Sequence, residues 1–421
     1  MKRIEKDLVI VGGGAAGFFA AINFAEQQPQ ASVCILEKSK NVLSKVKISG
    51  GGRCNVTHAE FDPNDLAKNY PRGHKELRGP FHQFMTGDMM AWLEERGVKL
   101  KIEADLRVFP TSDDSQSIID CFQNEVNRLG VELITNCGVN NLQPIQNSEY
   151  NWEIETSEII FESKKLLIAT GSSPKMWKTL ETLNHRIIPP VPSLFTFNIQ
   201  DEKIKDLAGI STEANIEVFT TSNRGVAKSE LKTLQSSGAL LITHWGFSGP
   251  CVLKLSAWGA RTFFELNHQF QLKVNWVQQH NQESIVSILN QLKLELSKKQ
   301  VANHPQFNLP KRLWQALVLS SEIEGQSIWA DLNKHQLQKL AKTLTSDVFH
   351  VNGKSTFKEE FVTAGGVDLK EINFKTFESK IHTNLYFSGE VLNIDAITGG
   401  FNFQNAWTSA FVCAKAMGKD F

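Results

Sequence analysis

The stretch Leu8-Val-Ile-Val11, followed at once by Gly12-Gly-Gly-Ala-Ala-Gly17, decides the fold of the first part of this chain. A continuous apolar run is typical of a strand buried on both faces of a parallel sheet. In this context Gly12 allows a tight turn, Gly14 lets a pyrophosphate approach the backbone, and Gly17 lets the following helix pack closely on the strand. The stretch therefore predicts a β-α-β unit that binds a dinucleotide at a helix N-terminus. The alternative is a glycine-rich turn that binds no ligand.

A carboxylate ends the second predicted strand of this unit. Residues 32–37 form that strand, and Glu37 is its last residue. A carboxylate in this position accepts hydrogen bonds from ribose hydroxyls and repels a 2′-phosphate, which argues against NADP in this site. Glu37 and the adjacent Lys38 are therefore predicted to lie beside a nucleotide ribose.

The length and composition of the chain limit the class of protein to which it can belong. The chain has 421 residues, too many for one ordinary core, so two or three domains are expected. Its 45 basic residues balance 45 acidic residues, so no overall field attracts nucleic acid or an anionic membrane. The six cysteines are scattered, which predicts reduced thiols, no disulfide and no metal site. The sequence contains no signal-peptide pattern and no apolar run of membrane-spanning length, so a cytoplasmic protein without a membrane partner is predicted.

A second glycine cluster lies in residues 39–80, a stretch of weak periodicity that is predicted to be a long functional loop. The string Ser49-Gly-Gly-Gly-Arg-Cys-Asn55, preceded by Lys47, combines close backbone approach with several hydrogen-bond donors. Such a loop can wrap phosphates or face a flavin ring, and a flexible surface loop is the alternative. Cys54 is predicted to be a structural thiol rather than a redox-active one, because no second cysteine lies nearby in the sequence.

Two further segments are predicted to contact a nucleotide. Ala169-Thr-Gly171 follows a buried strand and so lies at the carboxyl edge of the sheet, where nucleotides bind. Val139 follows a strand near residue 133 and is predicted to contact an adenine.

The closing part of the chain favours FAD over NAD. Gly389-Glu390 follows a short strand and can reach a ribityl chain. Gly399-Gly400 precede the last helix, whose N-terminus can stabilise the negative charge that develops at the flavin pyrimidine edge on reduction. A simple NAD dehydrogenase does not need a C-terminal segment that comes back to the nucleotide site. The opening glycine loop and this closing segment together therefore predict FAD. A core helix behind an ordinary glycine turn is the alternative.

The middle of the chain is predicted to be an insertion. Residues 1–190 form the first part of an FAD-binding domain, residues 191–280 a β-rich insertion and residues 281–350 a helical insertion, and residues 351–421 return to the FAD-binding domain. The strands predicted in the β-rich part are 195–199, 216–220, 239–243 and 271–276.

Several strings occur in an order that resembles a known family. After the Gly12 loop and the Ser49–Asn55 string come Thr243-His-Trp-Gly-Phe-Ser-Gly-Pro250, Val362-Thr-Ala-Gly-Gly-Val367, Glu378-Ser-Lys380, Tyr386-Phe-Ser-Gly-Glu390 and residues 395–404. Over nearly its whole length the chain is similar to the BaiN/YhiN-type bacterial flavoproteins, described as NAD(P)/FAD-dependent oxidoreductases or aminoacetone-oxidase-like FAD enzymes. The resemblance implies an α/β fold, in which a glutathione-reductase-type, Rossmann-like FAD-binding domain is interrupted by a β-barrel-like and a helical insertion. Phe401 stands where tyrosine is usual in the family, and Ala396 where glycine is usual.

These interpretations give one set of predicted cofactor-binding residues. They are Gly12, Gly14, Ala15, Ala16, Gly17, Glu37, Lys38, Lys47, Ser49, Gly51, Gly52, Arg53, Cys54, Asn55, Val139, Ala169, Thr170, Gly171, Gly389, Glu390, Gly400, Phe401 and Asn402. The catalytic residues are not set by the sequence. His244 is a candidate acid or base near the flavin, and the favoured alternative is a tight turn with a packed aromatic ring and a satisfied imidazole.

The predicted function is an FAD-dependent oxidoreductase that transfers hydride between the flavin and a small-molecule substrate or NAD(P)H. The mid-chain has no second strand-and-glycine unit for a nicotinamide. Two routes are therefore open: NAD(P)H docks transiently at the flavin, or the substrate reduces the flavin and oxygen reoxidises it. A flavin-dependent RNA-modifying protein and a non-catalytic flavin-binding regulatory module are the alternatives. RNA is a disfavoured partner, because the formal net charge is zero.

Overall fold

The structure, a computed structural model, describes residues 2–219, 234–355 and 362–419. The chain divides into two compact units, one formed by Met1–Val191 together with Val362–Phe421 and the other by Pro192–Phe361. All the residues predicted to bind the cofactor belong to the first unit, whereas His244 belongs to the second.

The first unit is a mixed sheet with helices. Its strands, numbered along the whole chain, are β1 (Lys2–Val11), β2 (Val33–Leu36), β3 (Thr57–His58), β4 (Leu100–Ile102), β5 (Arg107–Pro110), β6 (Glu132–Ile134), β7 (Asn141–Pro144), β8 (Trp152–Glu155), β9 (Ile159–Ile168), β10 (Ile187–Ser193), β17 (Val362–Val367), β18 (Ile372–Asn373), β19 (Glu378–Ser379) and β20 (Leu385–Phe387). Its helices are α1 (Ala15–Gln27), α2 (Ser44–Ile48), α3 (Pro63–Ala67), α4 (Arg78–Phe81), α5 (Thr86–Glu94), α6 (Gln116–Arg128), α7 (Pro174–Thr182) and α13 (Phe401–Lys419).

The main sheet places several strand ends at one edge. Its order is β18-β19-β20-β9-β1-β2-β6, with β7 and β8 attached at β9. Strands β20, β9, β1, β2 and β6 run parallel, and Val11 pairs with both Leu36 and Ile168, while Phe387 pairs with Ile168. Because these strands end in register, the loops that follow them start side by side.

Burial explains why the opening stretch forms the centre of this sheet. Leu8, Val9 and Ile10 have no exposed surface, as expected for a strand covered on both faces. Helix α1 packs against α13, and the ring centroids of Phe19 and Trp407 lie 5.5 Å apart. The first and last helices of the chain therefore share one aromatic core.

The prediction of a long loop over residues 39–80 is only partly correct. The structure forms α2, β3, α3 and α4 in this stretch. The three helices have only four or five residues each, too few for a hydrophobic period to show in the sequence. Asp62 caps α3 by accepting a hydrogen bond from the Asn64 amide at 2.8 Å.

The second unit is a closed barrel with helices. Its elements are β11 (Thr196–Ile199), β12 (Ser211–Phe219), β13 (Gln235–Thr243), β14 (Gly246–Ser248), β15 (Phe270–Asn275), β16 (Asp347–Ser355), α8 (Pro250–Trp258), α9 (Ala260–Glu265), α10 (Gln282–Glu295), α11 (Lys311–Ser320) and α12 (Lys334–Ser346). The barrel order is β11-β14-β13-β12-β15-β16. Ile216 of β12 lies in the same buried cluster as Leu289, Trp314 and Leu340, so barrel and helices share one core.

The predicted fold, an α/β domain interrupted by a barrel-like and a helical insertion, is confirmed. Each predicted strand of the insertion overlaps an observed one, and Thr220, the last residue of the strand predicted at 216–220, lies outside the described residues. Within the described parts of the chain, no helix combines the length and the hydrophobicity that crossing a bilayer requires.

Candidate functional site

The carboxyl edge of the parallel sheet brings the two halves of the predicted site together. Gly12 follows β1 with φ +117°, and a Cβ built on it would stand 2.4 Å from the carbonyl oxygen of Ala169, which follows β9. A Cβ built on Gly389, just after β20, would stand 3.3 Å from the Cβ of Ala16 in α1. The closing segment therefore lies against the opening glycine loop, as the sequence predicts.

The N-terminus of α1 fits an anionic ligand. Gly14 occupies the N-cap position, with no side-chain cap and no acidic residue in the first turn. A Cβ built on Gly14 would meet no atom within 4 Å, whereas one built on Gly17 would stand 2.0 Å from the carbonyl oxygen of Gly12. The space beside Gly14 and the unpaired amides of the first turn are what a pyrophosphate requires. Ala15 and Ala16 begin the helix here.

Glu37 is oriented by the loops around it. One carboxylate oxygen accepts a hydrogen bond from the Gly13 amide at 2.8 Å, and the other accepts from the amide and hydroxyl of Ser39. The Cys137 amide donates to the Glu37 carbonyl at 2.8 Å, which brings the segment that leads to Val139 beside Glu37. The residues predicted to contact ribose and adenine are therefore neighbours.

The second glycine cluster presents bare backbone. Ser49–Gly52 forms a tight turn with left-handed backbone, in which Gly51 and Gly52 adopt φ values of +70° and +86°. A Cβ built on either glycine would meet no atom within 4 Å. Lys47 is exposed just before this turn, and Ser49 donates through its hydroxyl to the Val46 carbonyl at 3.1 Å.

Arg53 and Cys54 make internal contacts. The Arg53 guanidinium lies 3.9 Å from the centroid of the Phe109 ring, in β5 of the small sheet β3-β5-β4, and bonds at 2.6 Å to Glu103, the residue after β4. Cys54 is fully buried, and burial raises the pKa of its thiol to about 12. A thiol in this state is a poor nucleophile, which supports the structural role expected for Cys54.

Glu390 joins three segments of the site. Its carboxylate forms an ion pair with Lys45 of α2 and accepts a hydrogen bond from the Thr363 amide at 3.1 Å. A Cβ built on Gly171 would stand 3.7 Å from a carboxylate oxygen of Glu390. The predicted contacts at Ala169-Thr-Gly171 and Gly389-Glu390 are thus adjacent.

The turn before α13 is held by the segment that follows the second glycine cluster. With its carboxamide turned to satisfy both neighbours, Asn55 donates to the Thr57 carbonyl and accepts from the Gly400 amide, each at 3.0 Å. Asn402 is predicted as a cofactor contact, but its side chain forms hydrogen bonds within the turn. It accepts from the Ala396 amide at 3.0 Å and donates to the Ala396 carbonyl at 3.2 Å.

Phe401 is also enclosed. It is 2% exposed, and its carbonyl accepts a hydrogen bond from the Tyr70 hydroxyl at 2.6 Å. The backbone amides at the start of α13, rather than these side chains, are what the turn can offer a ligand.

Sequence reasoning missed several residues that build this turn. Thr57 donates to the Gln404 side chain at 2.6 Å, and Arg72 forms a bidentate ion pair with the fully buried Asp395. The imidazole Nδ1 of His58 lies 3.1 Å from the Gly399 carbonyl oxygen. Thr57 and His58 follow the Ser49–Asn55 string after a single residue, Val56, and this proximity is the one signal that could have indicated them.

His244 lies in the second unit. It occupies an exposed turn between β13 and β14, and Phe247 two residues into β14 is fully buried. The turn and the packed aromatic ring of the favoured alternative are thus present, whereas the imidazole that it expected to be satisfied lies on an exposed residue.

Comparison with known proteins gives a consistent result. A family model described as HI0933-like protein Rossmann domain matches residues 6–416. The chain is 28% identical to a Haemophilus influenzae protein named ribosomal RNA dihydrouridine synthase, over 98% of each chain. It is 25% identical to a Clostridium scindens protein named 3-dehydro-bile acid delta(4,6)-reductase, over 97% of this chain and 98% of that protein.

A solved structure shares the overall fold. The 3-ketosteroid delta1-dehydrogenase from Sterolibacterium denitrificans superposes with a TM-score of 0.50 at 10% identity, over 99% of this chain and 100% of that chain. A family model that spans almost the whole chain, together with the open helix N-terminus at Gly14, identifies this chain as a member of the HI0933-like family of FAD-binding Rossmann flavoproteins.

Proposed function

We propose that this protein is an FAD-dependent oxidoreductase that moves hydride between the flavin and a small molecule. The observation that carries the proposal is the convergence, at one sheet edge, of the open α1 N-terminus beside Gly14 and the Gly389-Glu390 segment that follows β20. An NAD site needs only the first of these features. FAD supplies two-electron hydride chemistry when it is bound.

The residues of the first unit divide between the parts of FAD. The Gly12–Gly17 loop and the backbone of residues 49–52 would hold the pyrophosphate, and Glu37 with the segment at Val139 would hold the adenosine. Glu390 beside Gly171 would bind ribityl hydroxyls. The amides of Phe401 and Asn402 would face the pyrimidine edge, where the helix N-terminus favours negative charge, while the Gly400 amide is held by Asn55.

NAD(P)H is the proposed electron donor. The first unit has the only strand-Gly-x-Gly-x-x-Gly pattern in the sequence, so a nicotinamide would dock transiently rather than in a domain of its own. Anaerobic stopped-flow mixing with NADH and with NADPH tests this step. If both leave the flavin absorbance unchanged, the donor is not a nicotinamide.

We propose an electron-poor carbon–carbon double bond as the acceptor. The names of both relatives denote saturation of such a bond, since a dihydrouridine arises from a uracil ring and a delta(4,6)-reductase acts on a conjugated ketone. Hydride addition to an alkene is favoured when an adjacent carbonyl accepts the electron pair. The test is reoxidation of the photoreduced protein, without oxygen, by a 3-keto-4-ene steroid or by 2-cyclohexenone, with the saturated ketones as matched controls.

A uracil ring in RNA is the second candidate acceptor. The similarity to a protein named ribosomal RNA dihydrouridine synthase motivates it, and the zero net charge does not favour it. Uracil-containing ribosomal RNA added to the photoreduced protein is the corresponding assay, with mass spectrometry of the nucleosides as the readout. Flavin that is not reduced by any donor and not reoxidised by any acceptor would instead indicate a non-catalytic flavin-binding module.

A further inference from the structure

We propose that His58 is a positioning residue that holds the turn before α13 and takes up a proton when FAD is reduced. This inference rests on the proposed function, because it requires that the turn faces the flavin. His58 lies outside the sequence strings on which the resemblance to the flavoprotein family rests.

The first step is the hydrogen bond at Gly399. His58 ends β3, and its Nδ1 lies 3.1 Å from the Gly399 carbonyl oxygen, which can only accept a hydrogen bond. Nδ1 must therefore carry a proton, and the neutral ring keeps its lone pair on Nε2. Within the described parts of the chain, Nε2 has no hydrogen-bond partner, so it is available to accept a second proton.

The second step is the packing of the ring. The imidazole stacks on Phe401, the first residue of α13, with ring centroids 4.4 Å apart and an angle of 30° between the planes. A Cβ built on Gly399 would stand 3.3 Å from Nδ1, so the ring lies tightly against the turn. A positive charge on this ring would be stabilised by the aromatic face and opposed by the N-terminus of α13, unless a negative charge develops on a ligand there.

The third step is the charge around the imidazole. Burial is the largest influence and lowers the pKa of His58 below its usual value. The hydrogen bond to Gly399 opposes this effect, as do the charges of Asp105 and Glu60, whereas the charge of Arg107 adds to it. The turn itself, residues 396–404, contains no ionisable side chain. The lowered pKa favours the neutral imidazole, and the turn contributes no acidic side chain that would favour its protonation.

The consequence follows from linkage. A negative charge that develops near the turn raises the affinity of His58 for a proton, so reduction and protonation favour each other. The proton comes from solvent and binds Nε2, and no covalent bond of the protein forms or breaks. Uptake of one proton per two electrons makes the flavin midpoint potential fall by about 30 mV more for each unit of pH increase. This additional slope applies between the pKa of His58 with oxidised flavin and its pKa with reduced flavin.

The test measures the flavin midpoint potential from pH 5 to 9, by equilibrium reduction against indicator dyes. The wild type should show the additional slope, and His58→Gln, whose carboxamide can still donate to Gly399 but cannot titrate, should lose it while binding FAD. His304→Gln is the matched control, since the Nδ1 of His304 also lies 3.2 Å from a backbone carbonyl oxygen, that of Gln300 in the second unit. It should keep the wild-type slope.

Equal slopes in the wild type and His58→Gln would overturn this inference and leave the proposed function intact. A wild-type protein that binds no FAD would overturn both. If His58→Gln does not fold, histidine side-chain NMR of the wild type decides: one imidazole must show a pKa that rises on reduction of the flavin, and the absence of such an imidazole refutes the inference.

Discussion

Thr57 lies directly behind Gly400. A Cβ built on Gly400 would stand 2.6 Å from both the carbonyl carbon and the carbonyl oxygen of Thr57, and Gly400 has a φ of +96°. The strand after the second glycine cluster thus packs against the turn that starts α13 with no room for a side chain. This contact joins two parts of the chain that are more than three hundred residues apart in the sequence.

Gly400→Ala should therefore destabilise the protein. The methyl group would combine backbone strain with a clash against main chain, and we expect a loss of about 2–4 kcal/mol in the free energy of unfolding. Urea denaturation measures it. Gly51→Ala is the control, because its φ of +70° carries the strain without the clash. Equal losses in the two variants would contradict the packing argument.

Gly14→Ala should weaken FAD binding without weakening the fold. The φ of Gly14 is −94°, which alanine adopts, and its Cβ would project into open space. We expect the stability of the apoprotein to stay within about 0.5 kcal/mol and the FAD dissociation constant to rise roughly tenfold or more. Flavin fluorescence titration and urea denaturation give the two values. Gly17→Ala, which would clash with Gly12, should lose stability even without FAD.

Removing one partner of the Arg72–Asp395 pair should be costly. Asp395 is fully buried and the Arg72 side chain is 14% exposed, so Asp395→Leu leaves a cation in a poorly solvated site. We expect a loss of about 3–5 kcal/mol in the free energy of unfolding. The double variant Arg72→Met/Asp395→Leu should recover much of this loss. A double variant as unstable as the sum of the single variants would contradict the interpretation.

The Cys54 thiol should be unreactive in the folded protein. Burial raises its pKa to about 12, so almost no thiolate exists at pH 8. All six cysteines are buried, and Ellman's reagent should release colour only when urea unfolds the chain. Rapid reaction of the native protein, lost in Cys54→Ser, would instead indicate a redox-active residue.

Acid should destabilise the protein partly through His268. Burial, together with the smaller effect of the Lys354 charge, lowers the pKa of this imidazole to about 4. The unfolded state therefore binds a proton that the folded state does not, and the contribution of His268 to stability falls as the pH drops from about 6.5 to about 4. His268→Phe should lose less stability than the wild type over this range, as measured by thermal unfolding at pH 7 and pH 4.5. An identical pH dependence in both proteins would exclude His268 as a cause.

The fold could be predicted in large part because its signals are local. The glycine positions around Gly12 and the apolar runs of β1 and β9 reflect backbone and burial requirements that a few neighbouring residues satisfy. The short helices of residues 39–80 could not be predicted, because one or two helical turns leave no period in the sequence.

The sequence by itself determined the dinucleotide loop, the acidic end of β2 and the presence of a second glycine turn near the C-terminus, since each depends on residue types at fixed spacing. Only the tertiary structure decided that β3 packs against that second turn. It likewise decided that the side chains of Arg53 and Asn402 make internal contacts, and that His58 lies within hydrogen-bond distance of Gly399. These contacts join parts of the chain that no local pattern relates. The physical reason is that these contacts depend on how the sheet packs with α1 and α13. That packing is determined by the first unit as a whole.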